Sequence, residues 1–138
     1  AREGVHGVAD LPRLLPEADV VVLSVPLTDA TRGMVDAAFL GRMRNGALLV
    51  NVARGGVVVT DDLVAALTAG GVTAALDVTD PEPLPAEHPL WTAPGLLVTP
   101  HVGGLSSAMW PRAYRLVRDQ LNRIAAGQEP VNRAGSGY

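Results

Sequence analysis

The chain has 138 residues and carries 11 basic and 14 acidic side chains, a formal charge of −3. That length suits one domain burying roughly two-thirds of its unfolded surface, and the charge argues against a nucleic-acid partner. Every cation is arginine and cysteine is absent, so this chain supplies no Schiff-base lysine, no Gly-Lys-Ser/Thr phosphate loop, no thiolate nucleophile and no disulfide. Apolar residues make up 48% and aromatic ones only 4%, the Val, Leu and Ala filling of a parallel sheet under helices. No apolar run approaches the roughly 20 residues of a membrane span, and the first residues do not resemble a signal peptide. The expectation is a cytoplasmic protein with no membrane partner.

In chain order, Asp10 is expected to cap a helix over Leu11 to Glu17, before the β-branched run Val20 to Val25 that reads as a buried strand stopped by Pro26. Asp36 is placed to cap a helix over Ala37 to Met43, followed by a strand over Ala47 to Val52. Thr60 then reads as the cap of Asp61 to Ala69, with two aspartates at the positive helix end and Gly70-Gly71 terminating it. A strand over Thr73 to Val78, a Pro-rich loop from Thr79 to Pro94 and a strand over Leu96 to Thr99 come next. Ser106 to Trp110 is expected to form a separate turn or kink. The last helix is predicted from about Pro111 to Ala126, with Ala113, Leu116, Val117, Leu121 and Ile124 as an apolar stripe and Gly127 ending it. The tail Gln128 to Tyr138 is expected to be mobile.

Strands alternating with helices predict an α/β fold with about four parallel strands. No Gly-x-Gly-x-x-Gly precedes Val20, and the glycine pairs 55-56, 70-71 and 103-104 have the wrong spacing for a pyrophosphate loop. The chain therefore reads as the second half of a Rossmann-type sheet with flanking helices and a long C-terminal helix.

Three residues carry chemistry in this frame. Arg54 follows a strand in Asn51-Val52-Ala53-Arg54-Gly55-Gly56 and can hold a carboxylate through two parallel hydrogen bonds, while the glycines either let backbone approach a bound molecule or serve a tight turn. Glu82 sits between Pro81 and Pro83, and His101 stands between Pro100 and Val102-Gly103-Gly104. If the preceding strands are parallel neighbours, a cation, a carboxylate and an imidazole meet along the sheet edge where such folds bind ligands. Asp77 is a charge at the end of an apolar strand and needs donors from a backbone turn or a ligand. His6, His88 and His101 lack metal-ligand spacing, and Ser106 and Ser107 lack a nucleophile elbow.

Five blocks in order resemble the D-isomer-specific 2-hydroxyacid dehydrogenase family: Asp19-Val20-Val21-Val22 with Val25-Pro26-Leu27-Thr28, the Asn51 to Gly56 segment, Leu76-Asp77-Val78 with Pro81-Glu82-Pro83-Leu84, Pro89-Leu90-Trp91, and Thr99 to Gly104. The resemblance implies that Arg54 binds the carboxylate of a small 2-hydroxy or 2-keto acid, that His101 exchanges a proton with the 2-oxygen, and that Glu82 orients His101. It further implies that Val25, Pro26, the backbone of Val52 and Ala53, Arg54, Asp77, His101, Gly103 and Gly104 meet NAD, with NADP not excluded and Asp77 holding the carboxamide.

Ser106-Ser107-Ala108 departs from the family's common Thr-x-Glu. In a full-length member the pyrophosphate loop and nearly all of the substrate domain precede the residue equivalent to Ala1. Residues 1–127 are accordingly expected to be the second half of a dinucleotide-binding domain, residues 128–138 a tail returning to the substrate domain, and this fragment inactive by itself. In the family's sheet order Val20 to Val25 lies beside the first strand of the preceding half, so the fragment is expected to leave it as an apolar edge and to self-associate, aggregate or be an ordered remnant of a longer chain; a homodimer is the expected assembly. The alternative from another class is a dinucleotide-sensing scaffold or co-repressor-like module that binds protein partners.

Overall fold

Four apolar runs pair side by side as parallel strands in chain order: β1 (Val20–Leu23), β2 (Ala47–Asn51), β3 (Val72–Leu76) and β4 (Leu96–Val98). The computed structural model describes residues 4–133; residues 134–138 of the expected mobile tail lie outside the described residues. The chain up to Pro100 forms one compact unit and the chain from His101 a second.

In the first unit, α2 (Ala37–Leu40) connects β1 to β2 and α3 (Thr60–Thr68) connects β2 to β3. Alternation along the strands decides where the core lies. Ala47, Leu49 and Asn51 of β2 and Val72, Ala74 and Leu76 of β3 are all buried, packed with Phe39 and Leu40 of α2 and Leu63 and Leu67 of α3. The opposite side chains lie more open, with Val20 at 52%, Val22 at 57% and Leu97 at 63% exposure. β1 pairs only with β2 among the described residues and is an edge strand, in keeping with its expected position.

The N-terminal helix differs from expectation. Instead of one helix over 11–17 there are a 3-10 turn at Val8–Asp10, the four-residue helix α1 (Leu11–Leu14) and a second 3-10 turn at Leu15–Glu17. Pro16 lacks the N–H that a helix continuing through it would need, and its ring would crowd the carbonyl four residues back. The Asp10 carboxylate accepts from Gly7 N at 3.1 Å rather than capping α1.

Asp36 does cap α2, its Oδ1 accepting from Phe39 N at 2.8 Å, although the helix stops at Leu40 and continues as tighter turns through Met43. Thr60 is not the cap of α3. It is the first helical residue, and its hydroxyl instead donates to the Asp80 carbonyl at 2.7 Å. Asp62, in the first turn of α3, accepts from Ala37 N at 2.8 Å and so ties the starts of α2 and α3 together.

The second unit is built on α4 (Met109–Ala125). The helix begins two residues earlier than expected, taking in Met109 and Trp110, because Pro111 still falls in the first turn, where a missing N–H costs nothing. The turn before it is closed by Met109 N donating to Ser106 O at 3.0 Å. After Gly127, Gln120 exchanges bonds with both the N–H and the carbonyl of Val131, at 3.0 and 2.8 Å, and Arg123 Nε donates to Glu129 O at 2.8 Å. No helix among the described residues is long and apolar enough to cross a membrane.

Leu67 is fully buried between α3 and the sheet. Leu67→Ala is expected to lower stability by about 2–5 kcal/mol, the usual cost of emptying a core leucine site. Urea denaturation followed by circular dichroism checks this; an unchanged midpoint would mean that α3 does not pack as described.

Candidate active site

One row of residues runs straight across the sheet, Leu23 opposite Asn51, Asn51 opposite Leu76 and Leu76 opposite Val98. Immediately beyond it Val52 N bonds Leu23 O at 3.3 Å, Asp77 N bonds Asn51 O at 3.0 Å and Thr99 N bonds Leu76 O at 2.8 Å. The four chains therefore leave the sheet at one level. Val25 and Pro26 follow β1, Val52, Ala53 and Arg54 follow β2, and Asp77 follows β3, so these candidate residues sit at the C-terminal edge of this sheet, with Glu82 further along the loop after β3.

Arg54 is extended, at φ −149° and ψ 147°, and opens a 3-10 turn over Gly55–Val57. Its Nη1 donates to the Ala53 carbonyl at 2.6 Å, which folds the guanidinium of this exposed side chain back onto the preceding peptide. The chain then returns along the sheet through the paired bonds Val35 N to Val57 O, 3.0 Å, and Val59 N to Val35 O, 2.9 Å.

The glycines after Arg54 serve a purpose that sequence alone did not suggest. A Cβ on Gly55 would overlap the backbone carbonyl of Thr79, and one on Gly56 would stand 3.3 Å from both Arg32 Nη1 and Asp80 Oδ2. Bare backbone is needed here because the loop after β3 packs directly on this turn. Glu82 lies two residues beyond Asp80 in that same loop and is exposed. Trp91 Nε1 donates to Pro85 O at 2.7 Å and fastens the loop further along.

Asp77 is half-buried, and its Oδ1 accepts from the Thr99 hydroxyl at 2.5 Å, a donor supplied by the neighbouring strand end. Beside this pair, on the open face of the sheet, is a hollow of about 80 Å³ lined by Val50, Val52, Ala75, Leu76, Asp77, Leu97 and Thr99. Its floor is apolar, with a carboxylate and a hydroxyl at the rim.

The loop after β1 is braced by a Thr-x-x-Thr pair. Thr31 Oγ1 donates to Pro26 O at 2.6 Å and accepts from Thr28 N at 2.8 Å. Sequence analysis missed this brace, as it missed Thr99 and the buried Asn51, although side-chain to backbone bonds of this kind follow from short Thr and Asn spacings.

His101 opens the second unit, one peptide beyond Pro100. It is exposed and held at φ 54°, in the left-handed region that few non-glycine residues occupy. Next to it Leu105 N bonds Val102 O at 2.9 Å and Ser106 N bonds Gly104 O at 3.0 Å, while nothing lies within 4 Å of a Cβ built on Gly104. Among the described residues no group of three His, Asp or Glu is placed to hold a metal.

A parallel sheet whose chains turn out along one edge, with an apolar hollow at that edge, is the architecture of dinucleotide-binding α/β proteins. Residues 1–103 match the family described as D-isomer specific 2-hydroxyacid dehydrogenase, NAD binding domain, and the chain belongs to that family. It is 35% identical over 127 residues to the formate dehydrogenase, chloroplastic/mitochondrial, of Arabidopsis thaliana, covering 91% of this chain and 33% of that protein. It is 44% identical over 93 residues to the human glyoxylate reductase/hydroxypyruvate reductase, covering 67% of this chain and 28% of the other. A D-isomer specific 2-hydroxyacid dehydrogenase from Xanthobacter autotrophicus Py2, solved with NADPH and MES, superposes with a TM-score of 0.86 at 40% identity, covering 98% of this chain and 57% of that one. The chain spans about a third of the length of the curated relatives it matches.

Because the Gly55 contact is with backbone, no side-chain rotation relieves it. Gly55→Ala is expected to cost about 1–3 kcal/mol, as other overpacked sites do, and to displace the Arg54 turn. A thermal melt equal to that of the unmodified protein would show that the β3–β4 loop does not rest on Gly55.

Proposed function

We propose that this protein is an NAD(P)-dependent 2-hydroxyacid dehydrogenase that interconverts a small 2-hydroxy acid and its 2-keto acid. The observation that carries this reading is the hollow bounded by Val52, Asp77 and Thr99, which lies two residues from the exposed cation Arg54 on the same sheet edge. The family membership supports it.

In this reading Arg54 grips the substrate carboxylate with its planar fork. His101 gives a proton to the 2-oxygen as the keto acid is reduced and takes it back in the oxidation, with Glu82 orienting the imidazole. Asp77, held by Thr99, would accept from the carboxamide of the cofactor, and the valines of the hollow would offer its ring an apolar surface. Val25, Pro26, the backbone of Val52 and Ala53, Arg54, His101, Gly103 and Gly104 make up the rest of the cofactor surface. When bound, the nicotinamide dinucleotide supplies or accepts the hydride at the 2-carbon.

Residues 1–127 act as the second half of the dinucleotide-binding domain, and residues 128–138 lead back to the substrate domain. A cytoplasmic homodimer is part of the same proposal. Sedimentation of the full-length protein tests it.

Turnover is read from reduced-cofactor absorbance with glyoxylate and hydroxypyruvate as keto acids. Arg54→Lys is expected to reduce kcat/KM by about a hundredfold, since a point charge replaces a bidentate fork, and to change cofactor affinity little. His101→Ala is expected to lower kcat by about 100-fold or more, the scale of a lost general acid. Wild-type kcat/KM in Arg54→Lys would remove the anion clamp from the proposal. Cofactor binding without any turnover in the unmodified protein would replace an enzyme with a dinucleotide sensor.

A further inference from the structure

Asn51 is the one buried polar residue in the core of the described unit, 1% exposed among Ala47, Leu49 and Leu76. An apolar side chain of similar volume would fill that site with no polar group to desolvate, so a carboxamide is tolerable there only if both its ends are bonded. Both are. Oδ1 accepts from Ala53 N at 3.0 Å and Nδ2 donates to Arg54 O at 3.0 Å.

These partners are the backbone groups that lose their ladder as the chain leaves β2 at Val52. A planar amide carries a donor and an acceptor at a fixed separation, and so it closes both gaps at once. With the Ala53 N–H held by Asn51 and the Ala53 carbonyl held by Arg54 Nη1, the peptides on either side of Ala53 cannot rotate independently. The direction in which the Arg54 side chain leaves the backbone is thereby set from inside the core.

We propose that Asn51 is a positioning residue for the anion-binding arginine: it acts on the acid substrate through Arg54 and does not touch substrate itself. This rests on the reading of Arg54 as the carboxylate clamp. A double-mutant cycle in the full-length protein tests it. Asn51→Asp keeps the size and the acceptor but loses the donor to Arg54 O; Asn51→Leu loses both. Each is expected to raise KM for the keto acid about tenfold or more, with kcat moved less, as befits a buried carbonyl left without its donor.

In an Arg54→Ala background the same changes are expected to cost less than about threefold in kcat/KM, because there is no longer a guanidinium to misplace. Equal costs in both backgrounds would make Asn51 an ordinary core residue and overturn the proposal.

A readout that needs no turnover separates this from the functional reading. The Arg54 Nε–Hε resonance, assigned by its loss in Arg54→Ala, is expected to be dispersed in the unmodified protein. It is expected to move to the free-arginine position in Asn51→Leu or, should that variant not fold, in Asn51→Asp. If no keto acid is turned over the dehydrogenase reading fails, and this resonance alone then decides the role of Asn51. An unmoved signal overturns it.

Discussion

The parallel register that sets Leu23, Asn51, Leu76 and Val98 in one row is the constraint on which the rest depends. Side chains along a strand point to alternate faces, so a slip of one residue in β2 would carry Ala47 and Leu49 out of the core and turn Asn51 to the open face. Burial of Ala47 and Leu49 under α2 and α3 therefore decides which way Asn51 points. The same register sets the level at which each chain leaves the sheet, and with it the height of Arg54 and Asp77.

Beyond that row the problem changes from apolar packing to satisfying backbone. Three of the four departing chains are given a substitute partner by a nearby polar side chain. Asn51 holds the turn after β2, Thr31 holds Pro26 after β1, and Thr60 reaches from α3 to the Asp80 carbonyl in the loop after β3. A bond of this kind contributes only about 1 kcal/mol net, but a buried group left without one costs more than that. The edge is thus defined by polar groups resting on an apolar frame. A proposed ligand surface needs that arrangement, because a guanidinium or carboxylate can select a substrate only if its own base does not wander.

Gly55 joins the two halves of this edge. With no Cβ, it allows the carbonyl of Thr79 to lie against the turn that begins at Arg54. The loop bearing Glu82 and the turn bearing Arg54 are consequently packed backbone to backbone. A change in one is felt by the other through that backbone contact.

What the sequence by itself determined is what short-range chemistry decides. Runs of Val, Leu and Ala bounded by Pro, Gly and Asp placed four parallel strands within two residues of their observed ends, and Asp36 three residues before Phe39 announced a true cap. The alternation of those runs with helices was sufficient for the fold class, and the segments after β2 and β3 marked Arg54 and Asp77 as residues that leave a sheet edge. Only the tertiary structure decided the partners. Thr60 looked like a cap and bonds Asp80 twenty residues away; Gly55, open to two local readings, meets Thr79 from the next loop; and Asp77 receives a hydroxyl from Thr99, just past a strand that joins it only once the sheet has formed. A side chain's local sequence shows what it is able to bond. Which groups come within 3 Å of it depends on how distant segments pack, and that is why Asn51 passed as one letter of a motif until the core closed around it.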